Sequence, residues 1–110
     1  MRECYVHTIS ATIIDLMQLT TGEWYISRIN TPYLHREEGY ASRLLKEVCA
    51  EADQEGVTLV LTPVSTGAMS YKALVKWYIR VGFEEIAADD IKVNQYLYSM
   101  RRRPHAQKER

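Results

Sequence analysis

One short run of residues has the composition of a phosphate-binding loop. It reads Arg36-Glu37-Glu38-Gly39-Tyr40-Ala41 and lies between a strand-like segment and a helix-like segment. At the start of a helix, several backbone N–H groups and the positive end of the helix dipole point the same way, which favours a diphosphate. Gly39 lets the backbone approach phosphate oxygens without a Cβ, and Arg36 adds a positive charge. The run therefore predicts a diphosphate site.

The same run is also compatible with an ordinary helix start in which Gly39 only relieves a turn. Glu37 and Glu38 would repel a phosphate unless both side chains point away from it. A pattern of six residues also occurs often by chance. The choice between the two interpretations therefore depends on the elements on either side.

The segment before the run has the pattern of β-strands. β-branched and aromatic residues are concentrated at 4–9, 12–17 and 24–29, and the sequence from Thr20 to Glu23 supplies a turn. Their short connections leave no room for a parallel crossover. We therefore expect an antiparallel meander.

The segment after the run has the pattern of a helix followed by a buried strand. Apolar residues recur with helical spacing, which predicts a helix over 39–55 that ends at Gly56. The unbroken apolar stretch 57–62 predicts a strand that Pro63 ends. Strand, helix and strand together form a crossover unit.

The rest of the chain predicts one more helix and two more strands. Ser70 is the predicted N-cap of a helix that ends at Gly82. Strands are expected at 83–87 and 93–100, and 101–110 is a basic, disordered tail. The predicted fold class is α+β, with a mixed, mostly antiparallel central sheet and two helices in a single domain over 1–100.

Composition sets the broad class of the protein. The chain has 110 residues, 46% apolar and 25% charged, as in soluble globular proteins. Cys4 and Cys49 are far apart and lack metal-ligand spacing, so we expect no metal site, and we expect Cys49 to be a buried structural residue. With no apolar run long enough for a membrane span, we expect a cytoplasmic protein.

In this context the chain resembles the GNAT superfamily of N-acetyltransferases. The family's cofactor loop has the form Q or R, x, x, G, x, G or A, and it stands here as the run from Arg36 to Ala41. A second family motif stands as Ala73, Tyr78, Gly82 and Phe83. Two motifs in the right order are typical of the family, and the resemblance covers about 24–100.

The resemblance implies that acetyl-CoA is the acyl donor. Its diphosphate would bind the loop from Arg36 to Ala41, and its pantetheine arm would pair with the backbone of Ile29 and Asn30 in a gap beside 57–62. Ser70 stands where the family often has an asparagine at the start of the second motif helix. Tyr78 matches the tyrosine that donates a proton to the leaving thiolate, although its position beside Trp77 equally suits a core residue.

The acceptor amine must also lose a proton. Glu23 is the first candidate for the base, because family members that act on protein lysines carry a glutamate at the beginning of this strand. An exposed turn glutamate would have the same position. His7 and His35 are the alternatives, since histidine titrates nearest to neutrality. Water serves as the base in many members.

The chain departs from the family in lacking the strand and two helices that usually precede the meander. We therefore expect an open acceptor cleft, which favours a protein lysine as acceptor and a homodimer that covers the exposed side. One alternative is an inactive module that binds acetyl-CoA or a partner protein. A nucleic-acid adaptor that uses Arg101, Arg102 and Arg103 is the least favoured, and a solvated tail explains these residues equally well.

Overall fold

The computed structural model describes residues 1–30, 39–65, 69–86 and 98–105 of the chain. These residues form six strands and two helices. They are β1 (Cys4–His7), β2 (Thr12–Gln18), β3 (Trp24–Asn30), α1 (Tyr40–Glu55), β4 (Leu59–Leu61), α2 (Tyr71–Arg80), β5 (Glu84–Glu85) and β6 (Met100–Arg102).

The strands form a single mixed sheet. Their order is β1-β2-β3-β4-β6-β5, and every neighbouring pair is antiparallel except β3 and β4. The parallel pair is possible because α1 connects its two strands. The predicted α+β class, the meander of the first three strands and the strand-helix-strand crossover are therefore confirmed.

Both helices follow the periodicity of the sequence. The buried side of α1 is lined by Leu44, Leu45, Val48, Cys49 and Ala52. The helix ends at Gly56, whose φ of 67° lies in the left-handed region that glycine adopts readily. Within the described residues, no helix combines the length and the apolar character that a membrane crossing requires.

The main hydrophobic core lies between one face of the sheet and the helices. Ile14, Leu16 and Ile26 contribute from the sheet, and Leu45 and Tyr78 contribute from the helices. Because side chains alternate along a strand, the residue between Leu59 and Leu61 points to the opposite face. That residue, Val60, belongs to a second, smaller cluster with Ile86 and Tyr98.

The strands in the second half of the chain differ from the prediction. β4 covers only Leu59–Leu61 of the expected 57–62, and β5 only Glu84–Glu85 of the expected 83–87. Residues 87–97 of the expected closing strands lie outside the described residues. β6 continues through Arg101 and Arg102, so assigning these two residues to the tail was wrong. The side chain of Arg102 is buried because its guanidinium binds Asp53.

Candidate active site

A gap opens on one side of β3. Pairing with β4 is limited to Trp24 opposite Leu59 and Tyr25 opposite Val60. From Ile26 to Asn30 the strand pairs with β2 on its other side, but among the described residues it has no strand partner on the β4 side. Within the described residues, this part of β3 is therefore an edge of the sheet.

The local sequence explains why the strands separate. In the register of β2 and β3, Asp15 lies opposite Arg28 and Leu16 opposite Ile26, so Ser27 is an extra residue. A β-bulge of this kind bends its strand. β4 is also short, and Pro63 cannot donate a ladder hydrogen bond two residues after it ends.

The start of α1 is described from Gly39 onwards. Gly39 is the N-cap with φ 78° and ψ 11°, and a glycine has no side chain with which to cap the helix. The first helical hydrogen bond runs from the Arg43 N–H to the Gly39 carbonyl at 3.1 Å. The N–H groups of the first turn have no acceptor within the helix and point outward along its axis. Arg36, Glu37 and Glu38 lie outside the described residues.

Two basic side chains flank the first residue of α1. The ring of Tyr40 lies 4.7 Å from the ring of His7, and the Arg43 guanidinium lies 5.6 Å from the Tyr40 ring centre. His7 is held by Ser10, whose N–H donates to Nδ1 at 3.3 Å and whose hydroxyl lies 2.9 Å from the same atom. His7 therefore lies beside the predicted diphosphate site, whereas His35 lies outside the described residues.

The second helix is joined to the start of α1. Ser70 caps α2 by accepting a hydrogen bond from the Ala73 N–H at 3.2 Å. The indole Nε1–H of Trp77 donates to the Ser42 hydroxyl at 2.9 Å. Ser42 directly follows the first family motif and Trp77 directly precedes Tyr78 of the second, so this bond joins the neighbours of the two motifs. No local pattern predicts it, because it links residues far apart in the chain.

Tyr78 lies within the core. Only 8% of its surface is exposed, and its ring contacts those of Trp77 at 4.9 Å and Phe83 at 5.5 Å. Burial raises the pKa of Tyr78 to about 12, so the phenol is protonated at neutral pH. Among the described residues, the hydroxyl has no hydrogen-bond partner. The phenolic O–H therefore donates no hydrogen bond to another described side chain.

Glu23 lies at the opposite end of β3 from the gap. Its carboxylate accepts hydrogen bonds from Tyr98 and Thr21, each at 3.0 Å. It lies six positions before Ile29, which corresponds to roughly 20 Å along an extended strand. The structure therefore brings Ile29 and Asn30 to the open end of the sheet and does not bring Glu23 to the same place.

The comparisons with known proteins support the fold. No protein-family model matches the sequence, and no curated protein shows significant sequence similarity to it. The anti-CRISPR protein AcrVA5 superposes with a TM-score of 0.64 at 18% identity, over 87% of this chain and 93% of that one.

Two enzymes are also similar in structure. A GNAT-family acetyltransferase from Staphylococcus aureus Mu50 has a TM-score of 0.63 at 16% identity, over 86% of this chain and 60% of the enzyme. An N-acetylglutamate synthase from Neisseria gonorrhoeae, solved with coenzyme A and N-acetyl-glutamate, has a TM-score of 0.58 at 20% identity. The match covers 86% of this chain and 23% of the synthase.

The chain thus spans 60% of the first enzyme and 23% of the second. Identities this low are evidence of a shared fold and not of a shared activity. The mixed sheet, the crossover through α1 and the gap beside β3 agree with these likenesses, and the chain is a GNAT-fold protein.

Proposed function

We propose that this protein is an N-acetyltransferase that transfers the acetyl group of acetyl-CoA to a primary amine. The observation that carries the proposal is the edge of β3 from Ile26 to Asn30, which has no described strand partner on its β4 side, in the strand that precedes α1 and its glycine N-cap. The edge of β3 suits the extended, amide-bearing arm of acetyl-CoA, and the start of α1 suits its diphosphate. Acetyl-CoA supplies the acetyl group as an activated thioester.

The backbone around Ile29 and Asn30 would bind the arm as an added strand. The same N–H groups would stabilise negative charge on the carbonyl oxygen during attack, as preorganised donors do in other acyl transfers. The N–H groups of Gly39, Tyr40 and Ala41, with the Arg36 side chain and the backbone of Glu37 and Glu38, would bind the diphosphate, and both glutamate side chains would point away from it. Ser70 at the start of α2 would border this site.

The proposed reaction is direct attack of the amine nitrogen on the carbonyl carbon. A C–N bond forms, the C–S bond breaks, and the thiolate sulfur takes the phenolic proton of Tyr78. The amine loses its proton to a base, for which Glu23 is the first candidate. Because Glu23 lies roughly 20 Å from Ile29 along the strand, a chain of water molecules would carry the proton to it.

A protein lysine is the favoured acceptor. The reason is the edge of β3 from Ile26 to Asn30, which has no strand partner on its β4 side among the described residues. An open site of this kind admits a side chain presented by a large partner. A second copy of the chain would serve to cover the exposed side of the sheet, and we place the protein in the cytoplasm.

An inactive module that binds acetyl-CoA or a partner protein is the second candidate. The distance of roughly 20 Å between Glu23 and Ile29 favours it, because the candidate base then lies far from the open part of β3. The burial of Tyr78 favours it as well.

Calorimetric titration with acetyl-CoA tests the cofactor site. Gly39→Glu places a carboxylate at the start of α1 and should weaken binding by about 100-fold or more, through repulsion of the diphosphate. Gly56→Glu is the matched control. It lies at the other end of α1, its φ is also positive, and a Cβ there meets no described atom within 4 Å, as at Gly39.

The control variant should bind within about twofold of the natural chain, since its charge lies roughly 24 Å away along the helix. Equal affinities for all three proteins would contradict the assignment of the diphosphate site. Absence of binding by the folded natural chain would remove the basis of the proposed function.

A further inference from the structure

A cavity separate from the candidate active site lies beside the second half of α1. It has a volume of about 380 Å³ and is bordered by α1, the end of α2 and the residues of and after β6. Neither Gly39 nor any residue of β3 lines it. The helical rise places Lys46 roughly 9 Å and Asp53 roughly 20 Å along α1 from Tyr40. The volume is within the range of small-molecule sites, about 300 to 1,000 Å³.

A closed network of hydrogen bonds forms one wall of the cavity. Arg102, only 5% exposed, donates to both carboxylate oxygens of Asp53 at 2.6 and 3.0 Å and to the Val81 carbonyl at 2.8 Å. The backbone N–H of His105 donates to Asp53 at 2.8 Å. The carboxylate that lines the cavity is therefore neutralised by Arg102 and leaves no excess negative charge.

Two further cations line the cavity without a counter-charge. Lys46 lies on α1 and Arg80 in the last turn of α2, and neither forms an ion pair within the described residues. With Asp53 and Arg102 cancelling each other, the lining carries about two positive charges at neutral pH. A concave surface with a net charge of one sign concentrates ions of the opposite sign.

The rest of the lining is largely apolar. Ile79, which is 49% exposed, is a large apolar side chain at the surface, and it borders the cavity beside Val81, Ala50 and Cys49. Burial raises the pKa of Cys49 to about 11, so the thiol stays neutral at physiological pH and adds no charge. The surface therefore combines an apolar contact area with two cations that have no ion-pair partner among the described residues.

We propose that this cavity binds a small organic dianion, with its apolar body against Ile79 and its charged group between Lys46 and Arg80. Phosphate monoesters and dicarboxylates share this chemistry. The cavity suits a small molecule better than an acidic protein segment, because its volume is limited and the Arg102 network forms its wall. The site does not depend on acetyl transfer.

An NMR titration of the full chain tests the proposal. Phenyl phosphate and phthalate serve as the two probes, and benzyl alcohol serves as a neutral analogue. We expect the amide signals of Lys46, Ala50 and residues 79–82 to shift, with little change at Gly39 and Ala41. Lys46→Gln and Arg80→Gln should each weaken binding by about tenfold or more, the effect of losing one charge-assisted hydrogen bond.

Lys76→Gln is the matched control, since Lys76 is an exposed cation on α2 that does not line the cavity. The proposal is supported if either probe binds Lys76→Gln as tightly as it binds the natural chain. The probe with the lower Kd then identifies the anionic group as a phosphate or a dicarboxylate. Several results would overturn it: no shifts at the cavity amides, equal weakening by Lys76→Gln, or equally tight binding of benzyl alcohol. Shifts produced by polyglutamate and not by phenyl phosphate would assign the surface to an acidic protein segment.

Discussion

Burial of Tyr78 has two opposite effects on its use as a proton donor. With a pKa of about 12 the phenol is fully protonated at pH 7. The same value makes it a weak acid towards a thiolate, because the reference pKa of a thiol is about 8.5. Proton transfer from the phenol to the thiolate is then uphill by roughly 5 kcal/mol, the free energy that corresponds to this difference in pKa. Desolvation also destabilises a thiolate and raises its pKa, which reduces this difference. Tyr78 is thus an effective donor only to a thiolate that forms in the same buried environment.

Replacement of Tyr78 by phenylalanine tests the role of the hydroxyl. Tyr78→Phe should lower kcat by about 100-fold, the effect of a lost general acid, and leave the Kd for acetyl-CoA within about twofold. Tyr71→Phe is the control, because Tyr71 lies on the same helix and is 49% exposed. Turnover and calorimetric Kd would be measured for both variants. An unchanged kcat in Tyr78→Phe would leave Tyr78 as a packing residue.

At the residue scale, the sequence indicated some features of the site and not others. The spacing of Tyr78 to Gly82 and Phe83 was informative, because the structure packs the two aromatic rings together. Gly39 was expected to let a ligand approach the backbone. The structure shows in addition that its φ is positive, a conformation that most other residue types avoid. The bond between Glu23 and Tyr98 joins residues 75 positions apart, and no local pattern predicts it.

At the scale of elements, the contact between Trp77 and Ser42 is the link between the two motifs. α2 carries the proposed proton donor, and the first turn of α1 carries the proposed diphosphate site. The indole N–H and the serine hydroxyl hold these two ends together in a partly buried position. We therefore expect changes in α2 to alter cofactor binding without touching the cofactor.

A double-mutant cycle tests this link. Ser42→Ala and Trp77→Phe should each raise the Kd for acetyl-CoA about three- to fivefold, which is the effect of losing one hydrogen bond of about 1 kcal/mol. The double variant should be no weaker than either single variant, because both remove the same bond. Calorimetry gives all four values. Independent effects that multiply in the double variant would indicate that the two residues act separately.

The elements themselves were predicted with unequal success. Strong periodicity placed both helices, and β-branched runs placed the first three strands. The ends of β4 and β6 depend on tertiary contacts instead. β4 is short because β3 bends away from it at Ser27. β6 extends to Arg102 because Asp53 forms an ion pair with this arginine, which the sequence alone assigns to a basic tail.

At the scale of the whole molecule, Asp53 and Arg102 fasten the C-terminal segment to α1. Hydrogen bonding from Arg102 lowers the pKa of Asp53 below its ordinary value of 3.8, and the His105 N–H acts in the same direction against the opposing effect of burial. A lowered pKa means that folding favours the ionised carboxylate. This stabilisation is present above pH 4 and is lost as the pH falls through the lowered value.

Acid unfolding of Asp53→Asn tests this contribution. The variant should lose about 3 kcal/mol of unfolding free energy at pH 7, because Arg102 then keeps a buried charge without a counter-ion. The difference from the natural chain should shrink below pH 4. Asp15→Asn is the control, since Asp15 pairs with the exposed Arg28 and should lose less than about 1 kcal/mol. Urea titrations at several pH values give these numbers, and a constant difference down to pH 2 would contradict the argument.

The sheet order also constrains how this chain folds. β1, β2 and β3 are joined by short turns and can pair early, and α1 can form from local contacts. The parallel pair of β3 and β4 requires α1 to be in place, and β4 must also wait for β6 from the far end of the chain. Closing such long loops is the slow part of folding. An incompletely folded or newly synthesised chain would therefore already have the meander and α1, and until β4 arrives the whole edge of β3 would lack its partner strand and be exposed to pairing with other chains.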